Sequence, residues 1–173
     1  PRVHVVGAGT MGGDIAAWCA FRGCQVTLQD RGAKYLAPAI ERAHKLYQQR
    51  VRDPRARQAI LDRLVPDLAG HGVARADIVI EAIIEKVEAK RSLYAAVEPR
   101  LKPGAVLATN TSSLPLEELA ARLADPARMI GLHFFNPVAQ MPLLEIVQGR
   151  SSGAQAVAAG LAFARRIDKL PLP

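Results

Sequence analysis

Glu145 sits inside an apolar run, Leu143-Leu144-Glu145-Ile146-Val147, where a carboxylate needs a partner or bears a heavy desolvation cost. His133 closes a second apolar run, just before Phe135-Asn136-Pro137. An acid beside an imidazole holds the ring in one orientation and stabilises its protonated form. Such a pair suits oxidation of a secondary alcohol: the base takes the hydroxyl proton while hydride leaves the same carbon. A well-placed histidine base contributes ~10²–10⁴-fold in rate. Ser112, in Asn110-Thr111-Ser112-Ser113, adds a hydroxyl behind a third apolar run. Each residue also has a plainer reading: a structural histidine, a glutamate bonded to backbone amides, a serine capping its loop. Asn136-Pro137 can equally be only a turn.

Hydride needs an acceptor, and the start of the chain offers a place for one. Gly7-Ala8-Gly9-Thr10-Met11-Gly12 falls between a strand-like and a helix-like segment. The first glycine permits a tight turn, the second lets a pyrophosphate approach the backbone, and the third allows close helix–strand packing. The helix N-terminus then presents free N–H groups and partial positive charge to phosphates. Asp30 closes the next strand-like segment, near the roughly 20-residue offset of an acid that bonds the adenosine ribose. A carboxylate there favours NAD over NADP, although Arg31 follows it.

The elements that must hold these groups alternate. Strands are expected at Val3–Val6, Gln25–Gln29, Ala76–Ile84, Ala105–Thr109, Met129–Phe134 and Leu143–Val147. Helices are expected at Met11–Arg22, from Leu36 to about Arg52, from Pro54 to Leu64, at Lys86–Leu101, Leu116–Leu123 and Ala154–Ile167. Pro54 breaks the second from the third and Pro66 stops the third. The pattern predicts an α/β, Rossmann-like, doubly wound and largely parallel sheet with a helical excursion after the second strand. In such a sheet the ligand crevice lies beyond the strands' carboxyl ends, where Ser112 and His133 would project.

Composition agrees with this plan: 173 residues, 50% hydrophobic and only 5% aromatic. That suits one α/β domain. No apolar run is long enough for a membrane span, and no signal peptide is evident, so a cytoplasmic location is expected. Cys19 and Cys24 lack metal-site or redox spacing and are expected reduced and buried; no metal is expected. The net charge is +7. Arg50, Arg52, Arg55, Arg57 and Arg63 cluster with few aromatics among them, which reads first as a solvated helical face, next as a helper surface for a phosphate-rich ligand, and last as a nucleic-acid surface.

Four blocks carry a resemblance: GAGTMG, ADIVIEAIIEKVEAK, VLATNTSSLPLEEL and GLHFFNPVAQMPLLEIV. Together they resemble the L-3-hydroxyacyl-CoA dehydrogenases of fatty-acid β-oxidation over nearly the whole chain. GGDIAAWCAFRG and IDKLPLP are most similar to the dehydrogenase part of multifunctional enzymes that also carry an enoyl-CoA hydratase. The resemblance implies that His133 is the base, Glu145 its orienting partner, and Ser112 a donor to the reacting oxygen near the nicotinamide. It implies NAD contacts from Asn136, Ile84, Glu85 and Lys90 as well as from the glycine turn and Asp30. It also implies an acyl-CoA substrate, a following all-helical domain, and an oligomeric whole enzyme. Residues 1–173 then form an NAD-binding domain belonging to a longer polypeptide, with little or no turnover alone. Two positions depart from the family: Gly13-Asp14 places a carboxylate, expected to face solvent, near the phosphate end, and Arg50 is only a weak match for a coenzyme A contact. Other readings are a dehydrogenase of a free 3-hydroxy acid or sugar acid, a non-catalytic dinucleotide-binding module, and a nucleic-acid binder using the arginine cluster.

Overall fold

The first apolar run becomes β1 (Arg2–Val6), near the middle of a single eight-stranded sheet. The computed structural model describes residues 1–173. On one side of β1 lie β2 (Gln25–Gln29) and the edge strand β3 (Leu64–Pro66). On the other lie β4 (Ile78–Glu81), β5 (Val106–Thr109), β6 (Met129–Phe134), β7 (Leu143–Val147) and β8 (Leu170–Leu172). Strands β1 to β6 are mutually parallel. β7 runs antiparallel to β6, and β8 is parallel to β7. The domain is therefore Rossmann-like, and winding reverses between β1 and β4, where ligands bind in open α/β sheets.

The central strands are buried on both faces, which is why they read as mostly apolar runs rather than as alternating ones. One face carries α1 (Thr10–Phe21), α2 (Ala33–Arg50) and α6 (Ala154–Arg166), over a core that includes Ile15, Leu28, Tyr47, Ile130 and Phe163. The other carries α4 (Val87–Val97) and the short α5 (Leu116–Ala120), over Val79, Leu107, Tyr94 and Met129. The excursion after β2 consists of α2 and α3 (Pro54–Asp62). Asp53 caps α3 by accepting the Arg55 N–H, and Pro54 takes the first helical position, where its missing N–H costs nothing. No helix is long and apolar enough to cross a membrane.

Several expectations are corrected. β4 ends at Glu81 rather than Ile84. A side chain at Gly7 would lie 2.5 Å from the Ala82 carbonyl, so the chain leaves the sheet there to pack against the glycine turn. α2 starts at Ala33, which puts Pro38 inside the helix; the acceptor it leaves without an N–H belongs to the exposed residue Lys34. α5 stops at Ala120 instead of Leu123. β3 and β8 are additional three-residue strands, each containing a proline; both edge positions tolerate it. The arginine cluster is only partly a solvated face, since Arg63 donates to the Ala20 carbonyl and Arg50 to the Ala139 carbonyl. Cys19 and Cys24 are free thiols, both buried, as expected.

Candidate active site

A cleft of about 450 Å³ opens beyond the carboxyl ends of β4, β5 and β6, and its walls include Met11, Glu85, Ser112, His133 and Asn136. A smaller recess joins it at Thr111 and Ser112 and reaches Glu145. Strand alternation explains this placement. α6 packs on the face of β6 and β7 that holds Ile130, Leu132 and Ile146, close against Gly160. His133 and Glu145 point to the opposite face, toward the cleft side.

His133 and Glu145 are direct partners in the antiparallel β6–β7 ladder. Facing residues of such a ladder have Cβ atoms about 5 Å apart. The structure thus brings the pair together, with two differences from expectation. Glu145 is half-buried rather than enclosed, and no hydrogen bond joins it to His133. The imidazole instead stacks at an angle on Phe135, with ring centroids 4.6 Å apart. Ser112 is exposed on the loop after β5, between the two recesses. That loop is tied to the histidine strand, because the Asn110 side chain accepts the Phe134 N–H at 2.8 Å. Asn136 is exposed, and its bond to Pro137 is cis.

At the other end of the cleft, Gly7 has φ +104° and turns the chain out of β1. A Cβ on Gly12 would lie 1.7 Å from the Gly7 carbonyl oxygen, so only glycine allows this packing. A Cβ on Gly9 would meet nothing within 4 Å: space lies open at the turn. No side chain caps α1, so its first amides are available to an anion. These features fit a dinucleotide pyrophosphate. Asp30 accepts the Ala8 N–H at 2.8 Å and the Arg31 N–H at 2.6 Å, so its carboxylate braces the turn and lies beside it. Asp14 does not face solvent alone; Arg42 pairs with it at 3.2 Å and also bonds the Gly9 carbonyl, which offsets the negative charge near the phosphate end.

Ile84 and Glu85 lie in the turn after β4, both exposed. Glu85 bonds Thr111, Ser113 at 3.1 Å and Lys90 at 3.0 Å. Partial burial alone would raise its carboxyl, but the bonds from Thr111, Lys90 and Ser113 outweigh that and hold it below the ordinary carboxylate range. Lys90 is fully buried and does not line the cleft. It sits under the turn, bonded to Glu81, Glu85 and the Ile83 carbonyl. Glu85, which does line the cleft, links it to the cleft wall.

Glu81 was not among the expected site residues. It is fully buried and takes bonds from Lys90, Tyr94 (2.6 Å), Thr109 (2.6 Å) and the Ile83 amide (2.9 Å). The signal was present: Glu81 interrupts the apolar run Ile78-Val79-Ile80, as Glu145 interrupts its own. A larger groove of about 620 Å³, lined by Leu36, Ile40, His44, Pro66 and Leu68, lies away from these residues.

The family model for the 3-hydroxyacyl-CoA dehydrogenase NAD-binding domain matches residues 2–173. Among solved structures, the chain is similar to a 3-hydroxybutyryl-CoA dehydrogenase from Escherichia coli, with 38% identity and a TM-score of 0.94 over 99% of this chain and 37% of that one. It is similar to an (S)-3-hydroxybutyryl-CoA dehydrogenase from Ralstonia eutropha, with 31% identity and a TM-score of 0.90 over 99% of this chain and 62% of that one. The dehydrogenase part of multifunctional enzyme 1 from C. elegans matches with 31% identity and a TM-score of 0.89, over 99% of this chain and 40% of that one. The chain thus spans less than two thirds of each of these relatives. Sequence match, fold and glycine turn agree: the chain belongs to the 3-hydroxyacyl-CoA dehydrogenase family as an NAD-binding domain, and its cofactor is NAD.

Proposed function

We propose that this domain serves the oxidation of L-3-hydroxyacyl-CoA to 3-oxoacyl-CoA, a step of fatty-acid β-oxidation. The observation that carries the reading is the His133–Glu145 cross-strand pair, with His133 lining the cleft beyond β4, β5 and β6 and Glu145 lining the recess that joins it. His133 takes the hydroxyl proton in oxidation and returns it in reduction. Glu145, on the same face, orients the imidazole and favours its protonated form. The Ser112 hydroxyl donates to the reacting oxygen. Asn136, Ile84 and Glu85 border the nicotinamide end, and Lys90 holds Glu85 in place. Gly7 to Gly12 receive the pyrophosphate and Asp30 the adenine ribose. NAD supplies the hydride acceptor when bound. A further all-helical domain would complete the acyl-CoA site, and the greater length of the relatives leaves room for one. That length also leaves room for a hydratase module as in multifunctional enzymes.

The test is turnover of acetoacetyl-CoA against free acetoacetate with NADH, in the full-length enzyme. Turnover of the thioester and little of the free acid is the expected result; the reverse preference would replace this reading with a free hydroxy-acid dehydrogenase. His133→Ala should lower kcat by about 10²–10⁴-fold with NADH affinity unchanged. An undiminished kcat would remove His133 from the role of base.

A further inference from the structure

We propose that Lys169 is a positioning residue for the His133–Glu145 pair, acting by clamping the loop that joins their two strands. The inference rests on the function proposed above, because it concerns the same pair.

The loop from Phe135 to Pro142 connects β6 to β7 and carries Asn136. Its carbonyls turn toward a cationic cluster. Lys169, only 5% exposed and placed just before β8, donates its ammonium to the Val138 carbonyl and, at 2.5 Å, to the Met141 carbonyl. Arg50, from the end of α2, donates to the Ala139 carbonyl at 2.9 Å. The Leu170 N–H donates to the Pro142 carbonyl at 2.8 Å. Four of the loop's carbonyls are thus held from outside the hairpin.

The ammonium also lies 4.4 Å from the centroid of the Trp18 ring, against which the guanidinium groups of Arg50 and Arg22 pack at 5.7 and 5.8 Å. Trp18 is itself fixed, because its indole N–H donates to the Ile167 carbonyl at 2.8 Å. No carboxylate pairs with Lys169. A buried cation hydrogen-bonded only to carbonyls is held at some cost: burial, then the charge of Arg50, push the Lys169 amine below its ordinary value against the opposing pull of Asp168 and Cys19. An apolar side chain would fill the same volume without that cost, but could not bond carbonyls on both sides of the loop. The ladder sets His133 opposite Glu145, and the loop is the covalent link between their strands at the cleft end, beginning two residues after His133, so its placement bears on how the imidazole is presented to the carboxylate. A displacement of about 1 Å at a reacting group lowers turnover by up to ~10²-fold.

The experiment compares wild type, Lys169→Met, Lys169→Arg and Arg50→Gln in the full-length enzyme, by acetoacetyl-CoA turnover with NADH and by amide hydrogen exchange. Lys169→Met should lower kcat by about tenfold or more, change the pH profile of kcat/KM, and leave NADH affinity unchanged. Lys169→Arg should recover part of kcat. Exchange in residues 134–142 should rise by about tenfold, while the glycine turn stays protected. Arg50→Gln, an exposed position, should show the same exchange signature more weakly even if Lys169→Met does not fold. A purely structural role predicts a lower Tm with kcat per folded molecule and the pH profile unmoved, which overturns the proposal. Unchanged exchange in 134–142 overturns it as well, even where wild type fails to reduce the thioester. In that last case the function falls first, and the exchange data alone judge the clamp.

Discussion

Glu81 and Lys90 form a fully buried ion pair whose remaining valences are met by Tyr94, Thr109 and the Ile83 amide and carbonyl. Such a pair gives little net stability over an apolar substitute, but losing one member leaves a stranded charge. Lys90→Met should therefore destabilise by about 3–5 kcal/mol, and Glu81→Gln somewhat less because the amide keeps some bonds. The double replacement Glu81→Gln with Lys90→Met should lose less than the sum of the two single losses. Chemical denaturation of the three variants checks this, and additive losses would mean that the pair is not coupled. The same residues show what could be read in advance. A carboxylate inside an apolar run needs a partner, and that rule selected Glu145, which turns out half-buried, while passing over Glu81, which is enclosed. Burial depends on which strand is central and which lies near the sheet's edge, and single-strand patterning does not report it. The partner was no more legible: Lys90 reaches Glu81 because the chain doubles back through the turn after β4.

At the scale of elements, the strand–helix alternation and the glycine turn were legible, since each rests on local periodicity and on backbone conformations that only glycine adopts. The edge strands β3 and β8 were not. Each spans three residues with a proline, and only pairing to a distant neighbour makes it a strand. The antiparallel turn into β7 was equally hidden, although it sets His133 opposite Glu145. The glycine turn separates folding from binding in a way that substitutions can read. Gly9→Ala meets open space and should fold with an unchanged Tm, yet its methyl group occupies the approach to the pyrophosphate. Its NADH Kd should rise by about tenfold or more, a loss of at least ~1.4 kcal/mol. Gly12→Ala drives a methyl into the Gly7 carbonyl and should lose stability and binding together. Equal behaviour of the two variants would show that the turn does not face the pyrophosphate.

Across the whole molecule, several arginines act as backbone fasteners, which gives part of the positive excess an internal use. Arg63 and Arg166 bond the carbonyls of Ala20 and Arg22 at the end of α1, Arg91 that of Glu118, and Arg100 that of Gly70. The Gly70 contact adjoins the one fully buried histidine, His4 of β1. Its ring bonds the Thr27 hydroxyl at 2.6 Å and the Gln29 amide oxygen at 2.9 Å, with Asp67 at 3.7 Å. Through it, β1 is tied to β2 and to the segment after β3. Burial lowers its pKa from 6.5, against the opposing help of Gln29 and Asp67. The sign follows directly. Below about pH 6.5 the unfolded chain takes up a proton that the folded chain still refuses, so unfolding binds protons and stability falls. The stabilisation is complete above 6.5, declines as pH drops toward the folded-state pKa, and then levels off. The slope per proton is at most ~1.4 kcal/mol per pH unit. His4→Gln removes the titrating ring, so its stability should be flatter between about pH 7 and 5.5 even though it starts lower for want of one bond. Urea melts of both proteins across that range decide the point: parallel curves would place the acid-sensitive proton elsewhere in the molecule.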